Sequence, residues 1–155
     1  MKVQLNQQCV INASEQFWEQ MLATRLESMP DVGEFSVEAG HMFGMVALNG
    51  VWKGRIEVRM SGALAYQATA VMMMQPADSV GQADVLDATK EIANMLAGII
   101  KSSLPRPCSM TVPESAVQPE EFRGPASLED SMVVGFRHSS GDLLVRICEE
   151  ECTQV

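Results

Sequence analysis

From His41 to Leu48 the residues are apolar nearly throughout; Asn49-Gly50 follows, and then Lys53, Arg55, Glu57 and Arg59 alternate with Gly54, Ile56, Val58 and Met60. Asn-Gly tolerates the positive φ angles of a type I′ turn, so this stretch predicts two antiparallel strands joined by a tight hairpin. The alternation after the turn calls for a strand with one wet face. It is the strongest local signal in the chain.

The remaining elements arrange themselves around that hairpin. Val10, Phe17 and Met21, with Ile11, Trp18 and Leu22, recur at i, i+7 and i+11, which predicts a helix from about residue 7 to 25 capped by Asn6 or Asn12. Pro30, Asp31 and Gly33 break it, and Glu34 to Gly40 reads as loop or weak edge strand. Ser61 is placed to cap a second helix through Ala63, Leu64, Ala68 and Met72. Met72-Met73-Met74 could be a metal or sticky binding site, but methionine more often fills a core, and that reading is preferred. After Pro76, Asp78 and Gly81 comes a third helix, from Asp84 to about Ser103, stopped by Pro105 and Pro107. Cys108 to Val112 reads as a short strand and Pro113 to Asp130, with Pro119 and Pro125, as the longest irregular stretch. Met132 to His138, the turn Ser139-Ser140-Gly141-Asp142 and Leu143 to Cys148 form a second hairpin. The order is α-β-β-α-α-β-β-β. It predicts an α/β chain of the α+β type, antiparallel strands covered by helices, rather than a doubly wound parallel sheet.

Composition excludes several function classes. A chain of 155 residues, 46% hydrophobic and 20% charged, suits a single domain over 1–155. With 20 acidic and 11 basic side chains, net charge -9, and no basic cluster interleaved with aromatics, nucleic acid is not an expected partner. No apolar run spans a bilayer and Met1 to Gln8 lacks a signal-peptide pattern, so no membrane association and a cytoplasmic location are expected. Cys9, Cys108, Cys148 and Cys152 include no Cys-x-x-Cys pair and no zinc-finger histidine spacing; all four read as reduced thiols, and no metal site is expected. His41 and His138 are isolated and read as structural. There is no Ser/His/Asp order and no Gly-rich phosphate loop.

The third helix carries the functional signal. At ~100° per residue, Val85, Ala88, Thr89, Ile92, Leu96, Ile99 and Ser103 gather on one side, and Asp84, Asp87, Glu91, Asn94, Gly98 and Lys101 on the other. Asn competes with the helix backbone for hydrogen bonds, and Gly costs ~1 kcal/mol relative to Ala, so Asn94 and Gly98 weaken the helix without evident service to the core. Bare backbone one turn beyond an amide would let another molecule approach closely. Alternatively, Gly98 admits a neighbouring helix or strand of the same chain.

The run Asp87-Ala88-Thr89-Lys90-Glu91-Ile92-Ala93-Asn94-Met95-Leu96-Ala97-Gly98 resembles the Glu-x-x-Asn helix of the CheC/CheX/FliY chemotaxis phosphatases. The resemblance extends to Trp18-Glu19-Gln20-Met21-Leu22, the hairpin before the second helix, and the strand leading to Pro113. Glu91 is the only Glu with Asn three residues on, so the chain resembles the single-site CheX type, and the resemblance implies a single CheX-like phosphatase domain over 1–155. The resemblance implies hydrolysis of the phospho-aspartate of a CheY-like response-regulator receiver. Glu91 and Asn94 would be catalytic, Asn94 orienting water and Glu91 pairing with the receiver lysine. Asp87, Gly98 and Lys101 on the same face are candidate partner-binding positions. The receiver would bring Mg²⁺, leaving no cofactor in this chain. A homodimer is also expected, with Leu143 to Cys148 as a pairing edge and Glu149-Glu150-Glu151 at its rim. The rival reading is a non-catalytic docking module for a receiver, flagellar or signalling partner.

Overall fold

The computed structural model describes residues 5–29, 31–123 and 131–150. Pro30, Pro125, Asp130, Glu151 and Cys152 lie outside the described residues. Helix α1 (Gln7–Leu22) is followed by strands β1 (Glu27–Met29), β2 (Ser36–Val37), β3 (His41–Gly50) and β4 (Gly54–Met60). Helices α2 (Gly62–Met73) and α3 (Gln82–Lys101) come next, then β5 (Cys108–Met110), β6 (Glu114–Gln118), β7 (Phe122–Arg123), β8 (Ser131–His138) and β9 (Gly141–Glu149). The main sheet runs β1-β8-β9-β4-β3-β5, with β6 pairing β3 beside β5, and every pairing is antiparallel. The expected α+β architecture is the observed one.

Strand alternation assigns the two faces. Met42, Val46 and Leu48 of β3, Ile56, Val58 and Met60 of β4, and Leu143, Val145 and Ile147 of β9 join Phe17, Trp18, Leu64, Ile92 and Leu96 of the helices in one core. On the opposite face, Phe35, Val37, Val133 and Leu144 form a smaller cluster under the β2–β7 ribbon. The face expected to be wet is therefore partly covered. Arg59 lies 4.7 Å from the Phe43 ring centroid and 4.2 Å from that of Phe122. Glu57 is buried, accepting from Arg55 Nε at 2.6 Å with Arg146 at 3.8 Å. Burial beside Glu57 pushes the Cys148 thiol up from its ordinary value, which keeps it neutral. Cys9 and Cys108 are also free thiols. Both histidines serve the framework: buried His41 contacts the Glu38 carbonyl at 3.1 Å, and His138 Nδ1 accepts the Ser140 N–H at 3.0 Å.

Several local expectations are corrected. Asn49-Gly50 is not a two-residue turn: β3 continues through Gly50, Leu48 pairs Gly54, and Asn49 and Gly50 pair Ser109 and Cys108 of β5. Gly50 serves close approach, since a Cβ there would collide with the Pro107 carbonyl. Ser61 stands at the N-cap position of α2 as expected, but its side chain makes no capping bond; its hydroxyl donates to the Ser140 carbonyl at 3.4 Å. Helix α1 stops at Leu22 because Ala23 turns left-handed, φ 49°, and Thr24 N–H closes on the Trp18 carbonyl at 2.9 Å. Of its two candidate caps, Asn6 is the one used, accepting the Gln8 N–H at 2.8 Å. The stretch expected to be irregular contains β6 and β7, strands too short and too polar for a period-2 signal. Finally, β9 is no edge, being paired with β4 and with β8, so the stated basis for dimerisation through it fails.

Helix α3 is held against β3 at Gly44. A Cβ on Gly44 would meet Thr89 Cγ2 and the Thr89 carbonyl oxygen at 3.0 Å and Ala93 Cβ at 3.2 Å. From β6, Ser115 Oγ donates to the Leu86 carbonyl at 2.8 Å, tying the helix to the sheet at a second point. Gly44→Ala is expected to lift the helix and lower unfolding free energy by about 1–3 kcal/mol, read from urea denaturation. An unchanged midpoint would show that α3 yields without cost.

Candidate functional site

The chain enters α3 through Gly81, whose N–H donates to the Asp84 carboxylate at 3.0 Å. Asp84 in the first turn and Lys101 in the last both complement the helix dipole. The helix thus begins two residues before the expected Asp84 and ends two before Ser103. Its buried residues are Val85, Ala88, Thr89, Ile92, Ala93, Leu96, Ala97 and Ile100. Ile99, expected on that side, is only half-buried, and Ser103 lies exposed beyond the helix end. The stripe is broader and rotated toward the alanines because the helix sits in a corner, with β3 beneath it and α1 and α2 alongside. Ala93 is small enough to permit the close approach at Gly44.

The rotation leaves the opposite face free. Asp87 and Glu91 are exposed, and Asn94, Gly98 and Lys101 are half-buried. Glu91 and Asn94, at i and i+3, stand as neighbours on the helix surface, about 5–6 Å apart between Cβ atoms. Neither makes a side-chain hydrogen bond or ion pair among the described residues. A carboxylate and an amide are thereby carried on a helix packed against a sheet and left available to an outside molecule.

Gly98 separates the two explanations offered for it. A Cβ built there meets nothing within 4 Å, so no helix or strand among the described residues needs the space. Glycine therefore weakens α3 at this position with no intramolecular return. All five singled-out residues, Asp87, Glu91, Asn94, Gly98 and Lys101, fall on one helix face.

What the sequence reading missed is Gly44, which positions the helix; a lone glycine inside an apolar strand is the available signal for close backbone approach. It also placed the methionine run in the core. Met72 packs partly against it, whereas Met73 is 38% and Met74 92% exposed. Among the described residues, no three His, Cys, Asp or Glu side chains are grouped to hold a metal ion, and no helix is long and apolar enough to cross a membrane.

The family described as chemotaxis phosphatase CheX matches residues 42–137, a span that includes all of α3. The fold is similar to that of the chemotaxis protein CheX from Vibrio vulnificus, with TM-score 0.74, 17% identity, and coverage of 97% of this chain and 100% of that one. It is also similar to the CheX–CheY–BeF3–Mg²⁺ complex from Borrelia burgdorferi, with TM-score 0.69, 16% identity, and coverage of 93% and 97%. FliY from Thermotoga maritima matches more distantly, with TM-score 0.59, 14% identity, and coverage of 90% and 84%. No curated protein matches at a significant level.

Removing the two helix-weakening residues tests their structural idleness. Gly98→Ala is expected to raise stability by about 1 kcal/mol and Asn94→Ala by a few tenths, measured by thermal or urea unfolding. Destabilisation by either would mean that the outer face of α3 supports the fold.

Proposed function

The chain belongs to the CheX family of chemotaxis phosphatases, and from that premise we propose that it dephosphorylates the phospho-aspartate of a CheY-like response-regulator receiver with the outer face of α3. The observation that supports the reading is the pairing of Glu91 and Asn94, without side-chain partners among the described residues, beside a Gly98 whose missing Cβ no described residue would meet. A receiver seated on the helix would bring its phosphorylated carboxylate against Asn94. The Asn94 amide would hold a water in line with phosphorus. Attack forms the new P–O bond as the bond to the aspartate oxygen breaks, returning the carboxylate and releasing inorganic phosphate. Phosphoryl transfer needs little beyond positioning and charge placement, so an amide and a carboxylate suffice on this side.

Glu91 would pair with the receiver's active-site lysine and so fix the docking geometry, with Asp87 and Lys101 at the contact's margins. In this reading Mg²⁺ comes with the receiver, and this chain contributes the Glu91 carboxylate and the Asn94 amide. The rival, a docking module without catalysis, uses the same face.

Asn94→Ala separates the two. Loss of the amide is expected to slow receiver dephosphorylation by about 10²- to 10³-fold, by analogy with removing one oriented transition-state donor, while binding changes far less. Circular dichroism checks that the variant is folded. Wild-type protein that binds a phospho-receiver without shortening its lifetime, or an alanine variant with full activity, would leave only the docking module.

The reading includes a homodimer, which β9 cannot mediate. Sheet pairing between copies falls instead to β1 or to the β5–β6 edge of β3. Light scattering at micromolar concentration is expected to give twice the chain mass; a monomer mass would remove the dimer from the proposal.

A further inference from the structure

Helix α3 carries two of the chain's 11 cationic side chains, Lys90 and Lys101. Lys101 stands in the last turn, where it complements the helix dipole. Lys90 stands mid-helix, where the dipole offers it nothing, because that effect is confined to the terminal turns. It is half-buried and makes no ion pair among the described residues, although Asp87 lies three residues before it and Glu91 follows it directly. Its charge is therefore left for an outside group.

The helix itself fixes where that charge lies relative to the site. Lys90 and Asn94 are i and i+4 of one unbroken helix, so their Cβ atoms stand about 5–6 Å apart, as do those of Glu91 and Asn94 at i and i+3. At ~100° per residue, Asn94 falls between them, about 40° round the helix from Lys90 and about 60° from Glu91. Helical side chains lean toward the N-terminus, so the Asn94 amide projects over the turn that carries a cation on one side and a carboxylate on the other. In the phosphatase reading this amide faces a dianionic phosphoryl group. The rest of the molecule opposes such a ligand, with net charge -9 and with Asp87 and Glu91 exposed on the same face. We infer that the Lys90 ammonium pairs with the phosphoryl oxygens of the docked receiver, so that the protein selects the phosphorylated receiver over the unphosphorylated one. The ammonium stays protonated throughout and takes no part in the bond changes of hydrolysis. The inference rests on the phosphatase reading.

The pairing is tested with a purified receiver that the wild-type protein dephosphorylates. Its affinity is measured in Mg²⁺ with and without beryllofluoride, the anion standing for the phosphoryl group. Lys90→Gln is expected to weaken binding of the beryllofluoride form about tenfold and that of the free form by no more than about twofold. Lys90→Arg keeps the charge and should keep the preference. Both variants should melt with the wild type, since Lys, Gln and Arg have nearly equal helix propensity. Raising salt from about 0.05 to about 0.5 M should shrink the wild-type preference toward that of Lys90→Gln. Equal losses in both forms, no loss in either, or an arginine variant as impaired as the glutamine one would overturn the pairing. Failure of the wild type to dephosphorylate any receiver would instead defeat the phosphatase reading, and the pairing with it.

Discussion

At Gly44 the backbone of β3 lies against Thr89 and Ala93 of α3 with no side chain between them, and the geometry of the site follows from that contact. The Ser115 hydroxyl on the Leu86 carbonyl restrains the same helix from the neighbouring strand. Two anchors on the buried side fix which residues can face outward, and the outward set is Asp87, Glu91, Asn94, Gly98 and Lys101.

This arrangement divides the labour between stability and chemistry. The core supplies the apolar burial, with Ile92 and Leu96 inaccessible to solvent under the helix. The outer face can then tolerate residues that are poor for a helix, because its place does not depend on them. Asn94 and Gly98 are such residues. The opposite sheet face carries the β2–β7 ribbon over Val133 and Leu144, and the Arg55–Glu57–Arg146 cluster.

The identity of α3, its outward residues and the antiparallel character of the chain are written in periodicity, which short windows of sequence express directly. The hairpin at residue 50 is written there less faithfully. Asn-Gly is a turn signal only while its backbone groups are free, and here β5 takes them, moving the reversal to the residues before Gly54. Likewise Ser61 is a plausible helix cap until the β8–β9 turn offers its hydroxyl the Ser140 carbonyl. Strands β6 and β7 exist because β3 and β2 present pairing edges, something no local pattern of five or two residues can announce.

By itself the sequence determined the α+β class, the helix bearing Glu91 and Asn94, and the membership implied by that helix in its order of elements. Each of these depends on residue type and spacing along one segment. Tertiary structure alone decided that Gly98 faces open space and that Met74 stands in water, and it alone placed β9 between β8 and β4. Those are statements about what surrounds a residue, and the surroundings come from segments tens of residues away in the chain.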